Sequence, residues 1–267
     1  MPTTFAVFSD VHANLPALDA VLADLDARLG RGEIDAVYCL GDLVGYNTWP
    51  NEVARSIQDR GIPTIAGNYD EGVGLQSDDC GCAYKTEVDE ARGAESIAYT
   101  NSVVTDATRR YLRGLPRHLR ITLEAPRRTD ADSIDVLMVH GSPRRVNEYL
   151  FEDRPDASFV RMMEAVNADV LLFGHTHKPF HKVLEPRGER GTTVRHAVNT
   201  GSVGKPKDGD PRAGYVLLTI DAERSKSDPA YCRTEFVRVA YDVEAAARAV
   251  EASPLPDAFA TMLREAF

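Results

Sequence analysis

Five short apolar runs punctuate the chain, and each leads to a side chain able to bind a hard or borderline metal ion. Phe5-Ala6-Val7-Phe8 runs through Ser9 to Asp10, and Ala36-Val37-Tyr38-Cys39-Leu40 runs through Gly41 to Asp42. Thr64-Ile65-Ala66 runs through Gly67 to Asn68, Val136-Leu137-Met138-Val139 to His140, and Val170-Leu171-Leu172-Phe173 through Gly174 to His175. Short continuous apolar runs read as strands buried on both faces. Ligands of open α/β sheets gather outside the carboxyl ends of strands. The five polar ends are therefore expected to share one rim, and that rim to carry the function.

Between these runs the period changes. Leu15, Leu18, Val21, Leu22, Leu25 and Leu29 recur at helical spacing, with Asn14 as N-cap, Pro16 in the first turn and Gly30 at the stop. Further helices are expected from Pro50 to Arg60, ended by Gly61, over residues 89–113, and from Asp156 to Val166. Residues 71–88 read as a loop, His118 to Glu124 as a strand and 125–133 as a polar surface turn. Strand–helix alternation in the first half predicts a parallel sheet with helices outside. Strands near 180–185, 193–198, 214–220 and 234–240 follow without long helices, which reads as a second, largely antiparallel sheet. The expected fold class is α/β, an α/β/β/α four-layer sandwich of two mixed β-sheets flanked by helices. Residues 1–240 are expected to form this domain. Residues 241–267 read as a helical tail interrupted by Pro254 and Pro256, packed on the domain or at a subunit interface.

The net charge of −10 argues against an extended nucleic-acid or acidic-membrane surface, although one local basic pocket remains compatible with it. No apolar run approaches the roughly 20 residues of a membrane span. The first strand begins at Phe5, which leaves no room for a signal peptide, so the cytoplasm is the expected location. Cys39 reads as a small core residue within a strand. Cys80-Gly81-Cys82 lacks zinc-knuckle spacing and reads as free thiols in a loop.

The candidate metal ligands are Asp10, His12, Asp42, Asn68, His140, His175 and His177. Carboxylate, carboxamide and imidazole groups suit Mn, Fe, Zn or Co rather than copper(I) or an iron–sulfur cluster. The set exceeds what one tetrahedral ion uses and fits two ions sharing a carboxylate. Such pairs sit about 3.5–4 Å apart and stabilise both oxygens of an in-line displacement. Asp10-x-His12 or Gly41-Asp42 alone is a weak signal. Gly174-His175-Thr176-His177 is stronger, and four of the chain's seven histidines fall within the set.

Together these segments resemble the calcineurin-like metallophosphoesterase family, whose pattern is D-x-H, G-D, G-N-H-[D/E], H and G-H-x-H. The chain has Asp10-Val11-His12, Gly41-Asp42, Gly67-Asn68-Tyr69-Asp70, His140 and Gly174-His175-Thr176-His177 in that order, across about residues 4–220. The resemblance implies the same four-layer fold and a phosphoesterase in which a metal-bridging hydroxide attacks phosphorus. It implies two divalent or mixed-valence ions, with Mn or Fe favoured over Zn or Co. One ion would take Asp10, His12, Asp42 and His177, and the other Asp42, Asn68, His140 and His175. Catalytic roles are implied for Asp42, Asn68, Tyr69, Asp70 and His140, with Asn68 and Tyr69 also meeting substrate. Asn14 would hold the first loop as well as cap its helix. One position departs from the pattern, because Tyr69 stands where the family has His. A phenol, with a pKa of roughly 10, can donate a proton but cannot act as an imidazolium. Phosphodiesters and activated esters are therefore the expected substrates.

Among basic residues, Arg144 is the first choice for holding substrate oxygens, with Arg145, Lys205, Lys207 and Arg212 as further candidates. Residues 201–204 read as a tight loop, and His118, His181 and His196 as structural. Tyr46 and Trp49 either stack on a nucleobase or cap an apolar edge. The expected partner is a phosphate-ester small molecule or nucleotide, with no membrane and with homo-oligomerisation left open. The alternatives are a protein Ser/Thr phosphatase, a dinucleoside-polyphosphate hydrolase, or a catalytically inactive protein-interaction scaffold of the same fold. A DNA nuclease fits poorly with the charge.

Overall fold

Side chains alternate across each strand, and in this computed structural model that alternation builds four layers. The structure describes residues 2–82, 86–124, 133–185 and 193–267. In β1 (Thr3–Phe8), Phe5 and Val7 join an inner core while Ala6 and Phe8 join Leu18, Val21 and Leu25 of α1 (Leu15–Gly30). β2 (Ala36–Cys39) runs parallel to β1, and α2 (Pro50–Asp59) contributes Val53 and Ile57 to the same outer cluster. Asn14 caps α1 as expected, its Oδ1 accepting from the Ala17 N–H at 3.2 Å.

The second half repeats the arrangement. In β4 (Ile134–Val139), Val136 and Met138 face the inner core, while Leu137 and Val139 pack with Phe159, Met162 and Met163 of α6 (Asp156–Ala165). β5 (Val170–Phe173) divides in the same way, Val170 and Leu172 inward and Leu171 and Phe173 outward. Burying each such side chain contributes about 1.5–3 kcal/mol.

The later strands do not form a sheet of their own. β6 (Phe180–Leu184) and β7 (Arg195–Asn199) complete a sheet ordered β3-β4-β5-β7-β6, in which β3 (His118–Leu123) is antiparallel to β4. β8 (Ala213–Ile220) and β9 (Cys232–Val239) return to the first sheet, giving the order β2-β1-β8-β9. The reason lies in β8 itself. It is apolar on both faces and buried almost throughout, so it needs neighbours on both sides and pairs antiparallel with β1 and β9. Each sheet is consequently mixed.

Three local expectations change. Residues 64–66 form no strand: only a Cys39–Thr64 bridge remains, because the Ala66 N–H turns away to the Pro116 carbonyl at 2.8 Å. The segment read as a loop from 71 is partly helical, since α3 (Asn68–Gly74) starts directly at the candidate ligand. The helical stretch 89–113 divides into α4 (Glu87–Val103) and α5 (Asp106–Arg113), because Thr105 caps α5 and Val104 is extended. The expected turn at 125–133 lies, apart from Ser133, outside the described residues.

At the end of the chain, α7 (Val243–Glu251) packs against α1, and α8 (Asp257–Glu265) sets Phe259 edge-on to Tyr46 at 5.4 Å. Among the described residues, no helix is long and apolar enough to cross a membrane.

Candidate metal centre

The carboxyl ends of β1, β2, β4 and β5 meet at one rim. Asp10 and His12 follow β1, Asp42 follows β2, His140 follows β4, and His175 and His177 follow β5. Asn68 opens α3, delivered by the chain that bridges to β2. All seven of these side chains are 3% exposed or less.

The donor atoms fall into two groups, Asp10 with His12 and His177, and Asp42 with His140 and His175, each within 4.8 Å. Asp10 Oδ1 stands 3.3 Å from His177 Nε2, 3.7 Å from His12 Nε2 and 3.9 Å from His140 Nε2. Asp42 Oδ2 lies 3.2 Å from His140 Nε2 and 3.7 Å from His12 Nε2, between the groups. Asn68 Oδ1 faces His140 Nε2 at 3.2 Å.

Backbone groups aim these atoms inward. His12, His140 and His177 place Nδ1 at 3.0, 2.8 and 2.6 Å from the carbonyls of Val44, Leu40 and Lys205. An Nδ1–H donated there leaves Nε2 as the lone-pair atom, the arrangement by which a metal-binding imidazole is oriented. Asp10 Oδ2 accepts from Ser9 Oγ at 2.5 Å and from the His175 N–H at 3.0 Å. Its Oδ1 is buried without a hydrogen bond, as is His175 Nε2. Buried unpaired polar atoms are costly. One such atom in each group, amid carboxylates and imidazoles, fits a bound cation. Asn68 donates Nδ2–H to the Cys80 carbonyl at 3.0 Å and to Cys82 Sγ at 3.2 Å, which fixes its oxygen inward.

The electrostatics agree. Burial would raise the pKa of Asp10, but His177 and His12 outweigh it and hold the carboxyl well below its usual range. Burial likewise opposes ionisation of Asp42, and His140 overcomes it. Burial would lower His140, yet Asp42 and Asp10 push it up to about 10. His175 and His177 are pushed down to about 3, by burial and then by His140 and Lys207 respectively. Asp10 and Asp42 are thus favoured as carboxylates, His175 and His177 as neutral imidazoles and His140 as the protonated form, and a metal ion would displace the His140 proton.

Backbone strain marks the same residues. Asp10, His12, Asp42, His175 and His177 all have positive φ, between 46° and 66°. Left-handed backbone costs a non-glycine residue about 1–2 kcal/mol, and such strain gathers at functional sites. Two glycines let the loops close. A Cβ on Gly67 would stand 2.0 Å from Asp42 Oδ1, and one on Gly174 would stand 2.5 Å from Asp10 Oδ2.

Residues 4–223 match the model of the calcineurin-like phosphoesterase superfamily domain. The chain belongs to that superfamily. A calcineurin-like phosphoesterase of this length has relatives aligned nearly end to end. It is 31% identical to the uncharacterised protein MJ0912 of Methanocaldococcus jannaschii, across 94% of this chain and 93% of that one. It superposes on a metallophosphoesterase from Sphaerobacter thermophilus with a TM-score of 0.70, 27% identity and full coverage of both chains. The hypothetical protein PH1004 of Pyrococcus horikoshii shares the fold, with a TM-score of 0.77, 22% identity and 99% coverage of each chain.

The remaining expected site residues of this phosphoesterase are placed as follows. Asp70 accepts from the Leu43 N–H at 2.9 Å and the Gly67 N–H at 3.0 Å, clamping two ligand loops together. Burial and then the Asp42 charge push its carboxyl up to about 7. Tyr69 is buried, its ring edge-on to His12 at 5.5 Å and 4.9 Å from Tyr46, and its N–H donates to Asp42 Oδ1 at 2.9 Å. Arg144 shares the wall of a 230 Å³ cavity with His140, but Glu148 holds its exposed guanidinium. Arg145 lines that same cavity, and Arg212 is exposed and paired with Asp210. Sequence reading missed Ser9 and Thr200, whose hydroxyls meet at 2.8 Å behind Asp10, and Asn47, which donates to the His12 carbonyl at 2.8 Å. No motif marks these positions, and only the adjacency of Ser9 to Asp10 was available as a signal.

Proposed function

We propose that this calcineurin-like phosphoesterase is a binuclear-metal hydrolase of phosphoesters that favours diesters and activated esters. The observation that carries the reading is Asp42 Oδ2 standing between His12 of one group and His140 of the other, at 3.7 and 3.2 Å. Asp10, His12, His177 and Asp42 would hold one ion, and Asp42, Asn68, His140 and His175 the other. Bound ions supply Lewis acidity toward phosphoryl oxygens and a water acidified toward neutrality. The chain's own contribution is preorganisation: carbonyls lock three imidazoles, Asp70 clamps the loops, and the Tyr69 N–H holds Asp42.

Tyr69 occupies the place of the family's His, packed against His12 and Tyr46. A phenol so placed offers a leaving group little acid catalysis, so departure relies on solvent. That supports esters whose leaving groups need no proton.

The test is a substrate panel on Mn²⁺-loaded protein: bis(p-nitrophenyl) phosphate, p-nitrophenyl phosphate and a phosphoserine peptide. The diester is expected to show at least a tenfold advantage in kcat/KM, with loss of turnover on chelation and return with Mn²⁺. Faster monoester or peptide hydrolysis would overturn the diester reading. Protein that binds no metal and turns over nothing would be a scaffold instead.

A further inference from the structure

A cavity of about 570 Å³ opens beside the metal centre. It shares walls with the centre: Thr176 lies between two candidate ligands, and the Tyr149 ring lies 4.1 Å from that of His175. The Lys205 carbonyl accepts from His177 Nδ1, and the Tyr46 ring stands edge-on to His12 at 4.9 Å. The cavity thus lies next to the centre, where the remainder of a substrate larger than phosphate has room.

The lining combines two kinds of group. Tyr149 and Phe151 are stacked, with centroids 5.7 Å apart and planes 7° apart, and Phe151 is 38% exposed. Opposite in character are three lysines, Lys178, Lys205 and Lys207. Lys182 and Lys226 elsewhere in the chain are paired with Asp156 and Asp169. Among the described residues no carboxylate pairs with Lys178, Lys205 or Lys207. Among the described residues of the wall the one acid, Asp89, stands 3.9 Å from Arg92.

Lys205 is the informative member. It is only 4% exposed, and its Nζ lies 4.8 Å from the Tyr46 ring centroid. A buried ammonium without a counter-ion is expensive, and a cation–π contact offsets only part of the cost. An anion entering the cavity would supply the counter-charge that the described carboxylates do not.

We propose that the substrate is a nucleotide-class phosphoester bearing a second phosphate besides the one under attack, received by Lys205 and Lys207 while Tyr149 and Phe151 take its ring. This rests on the phosphoesterase reading above and adds a specificity subsite to it. The ammonium groups act as point charges, and aromatic side chains on a cavity wall suit bases of any identity.

The test uses Mn²⁺-loaded full chain and two substrates, thymidine 5′-(p-nitrophenyl phosphate) and the same compound carrying a 3′-phosphate. The second phosphate is expected to raise kcat/KM at least tenfold. In Lys205→Met and Lys207→Met that ratio is expected to fall toward one. The ratio is read within each protein, so a general loss of activity cancels. A native ratio near one overturns the subsite, and a ratio unchanged in both variants overturns its assignment to these lysines. If neither substrate turns over, the phosphoesterase reading fails, and calorimetry then tests the subsite alone. Adenosine 3′,5′-bisphosphate should bind at least tenfold more tightly than adenosine 5′-monophosphate, and equal binding overturns the proposal.

Discussion

His12 Nε2 and His177 Nε2 face each other at 3.1 Å, although both rings turn Nδ1 toward a backbone carbonyl. With Nδ1–H donated to those carbonyls, the two Nε2 atoms are left facing each other, an arrangement that a cation between them would satisfy. Mn²⁺ is therefore expected to raise Tm in scanning calorimetry, with reversal by a chelator. At a hundredfold excess over Kd, one ion adds about 2.7 kcal/mol. Elemental analysis should find two ions per chain and one in His177→Ala, and two ions retained in that variant would count against the assignment.

In the proposed arrangement Asp42 is shared by both ions, so Asp42→Asn is expected to weaken the two together. The carboxamide keeps the shape and still accepts from the Tyr69 N–H, so the fold should persist. At saturating Mn²⁺ a loss in kcat/KM on the order of a thousandfold is expected, comparable with removing a major electrostatic stabiliser. Near-native turnover, with far-ultraviolet dichroism confirming the fold, would exclude a shared role.

Tyr69→His restores the imidazole of the family pattern. General acid catalysis is worth about a hundredfold or more when geometry is right. An unoptimised ring is expected to give about a tenth of that, seen on alkyl phosphodiesters and not on p-nitrophenyl esters. A Brønsted plot over a leaving-group series should flatten in the variant. An unchanged slope would mean that the site cannot use an acid there.

His196 offers a pH test away from the metals. It is fully buried, 2.9 Å from His181, and is pushed down to about 3 by burial and then by His181. An unfolded histidine titrates near 6.5, so the unfolded chain takes up this proton first. The contribution is complete above about pH 6.5 and is lost as pH falls toward 3. Urea titrations across that window should show a shallower fall in His196→Phe than in the native chain. Parallel profiles would remove His196 as the source.

Gly67→Ala is expected to damage the centre more than the fold. The added methyl would stand 2.0 Å from Asp42 Oδ1 and 2.4 Å from the Asp42 nitrogen. Mn²⁺ affinity should fall at least tenfold by calorimetric titration. Gly30→Ala, with nothing within 4 Å of the new methyl, is the control and should leave affinity unchanged.

The convergence of the candidate ligands at one rim, the four layers and the α1 cap were legible because each rests on local pattern: a motif, an alternation or an Asn before an apolar period. What stayed hidden depends on partners distant in the chain. β8 reads as a strand, but its place beside β1 follows from burial on both faces, which only the assembled sheets reveal. The 64–66 run looks like a strand and is diverted by Pro116, some fifty residues on. The sequence favours Arg144 over Lys205 and Lys207 as a substrate contact, but the fold buries Lys205 and leaves Arg144 paired to Glu148.

The left-handed backbone at Asp10, His12, Asp42, His175 and His177 also constrains descent. Gly enters that region freely, and Asn, Asp and His enter it more readily than other side chains do. A lineage that abandoned hydrolysis would drift first to asparagine or glycine at these positions. Alanine or valine there would keep the conformational cost after its benefit had gone.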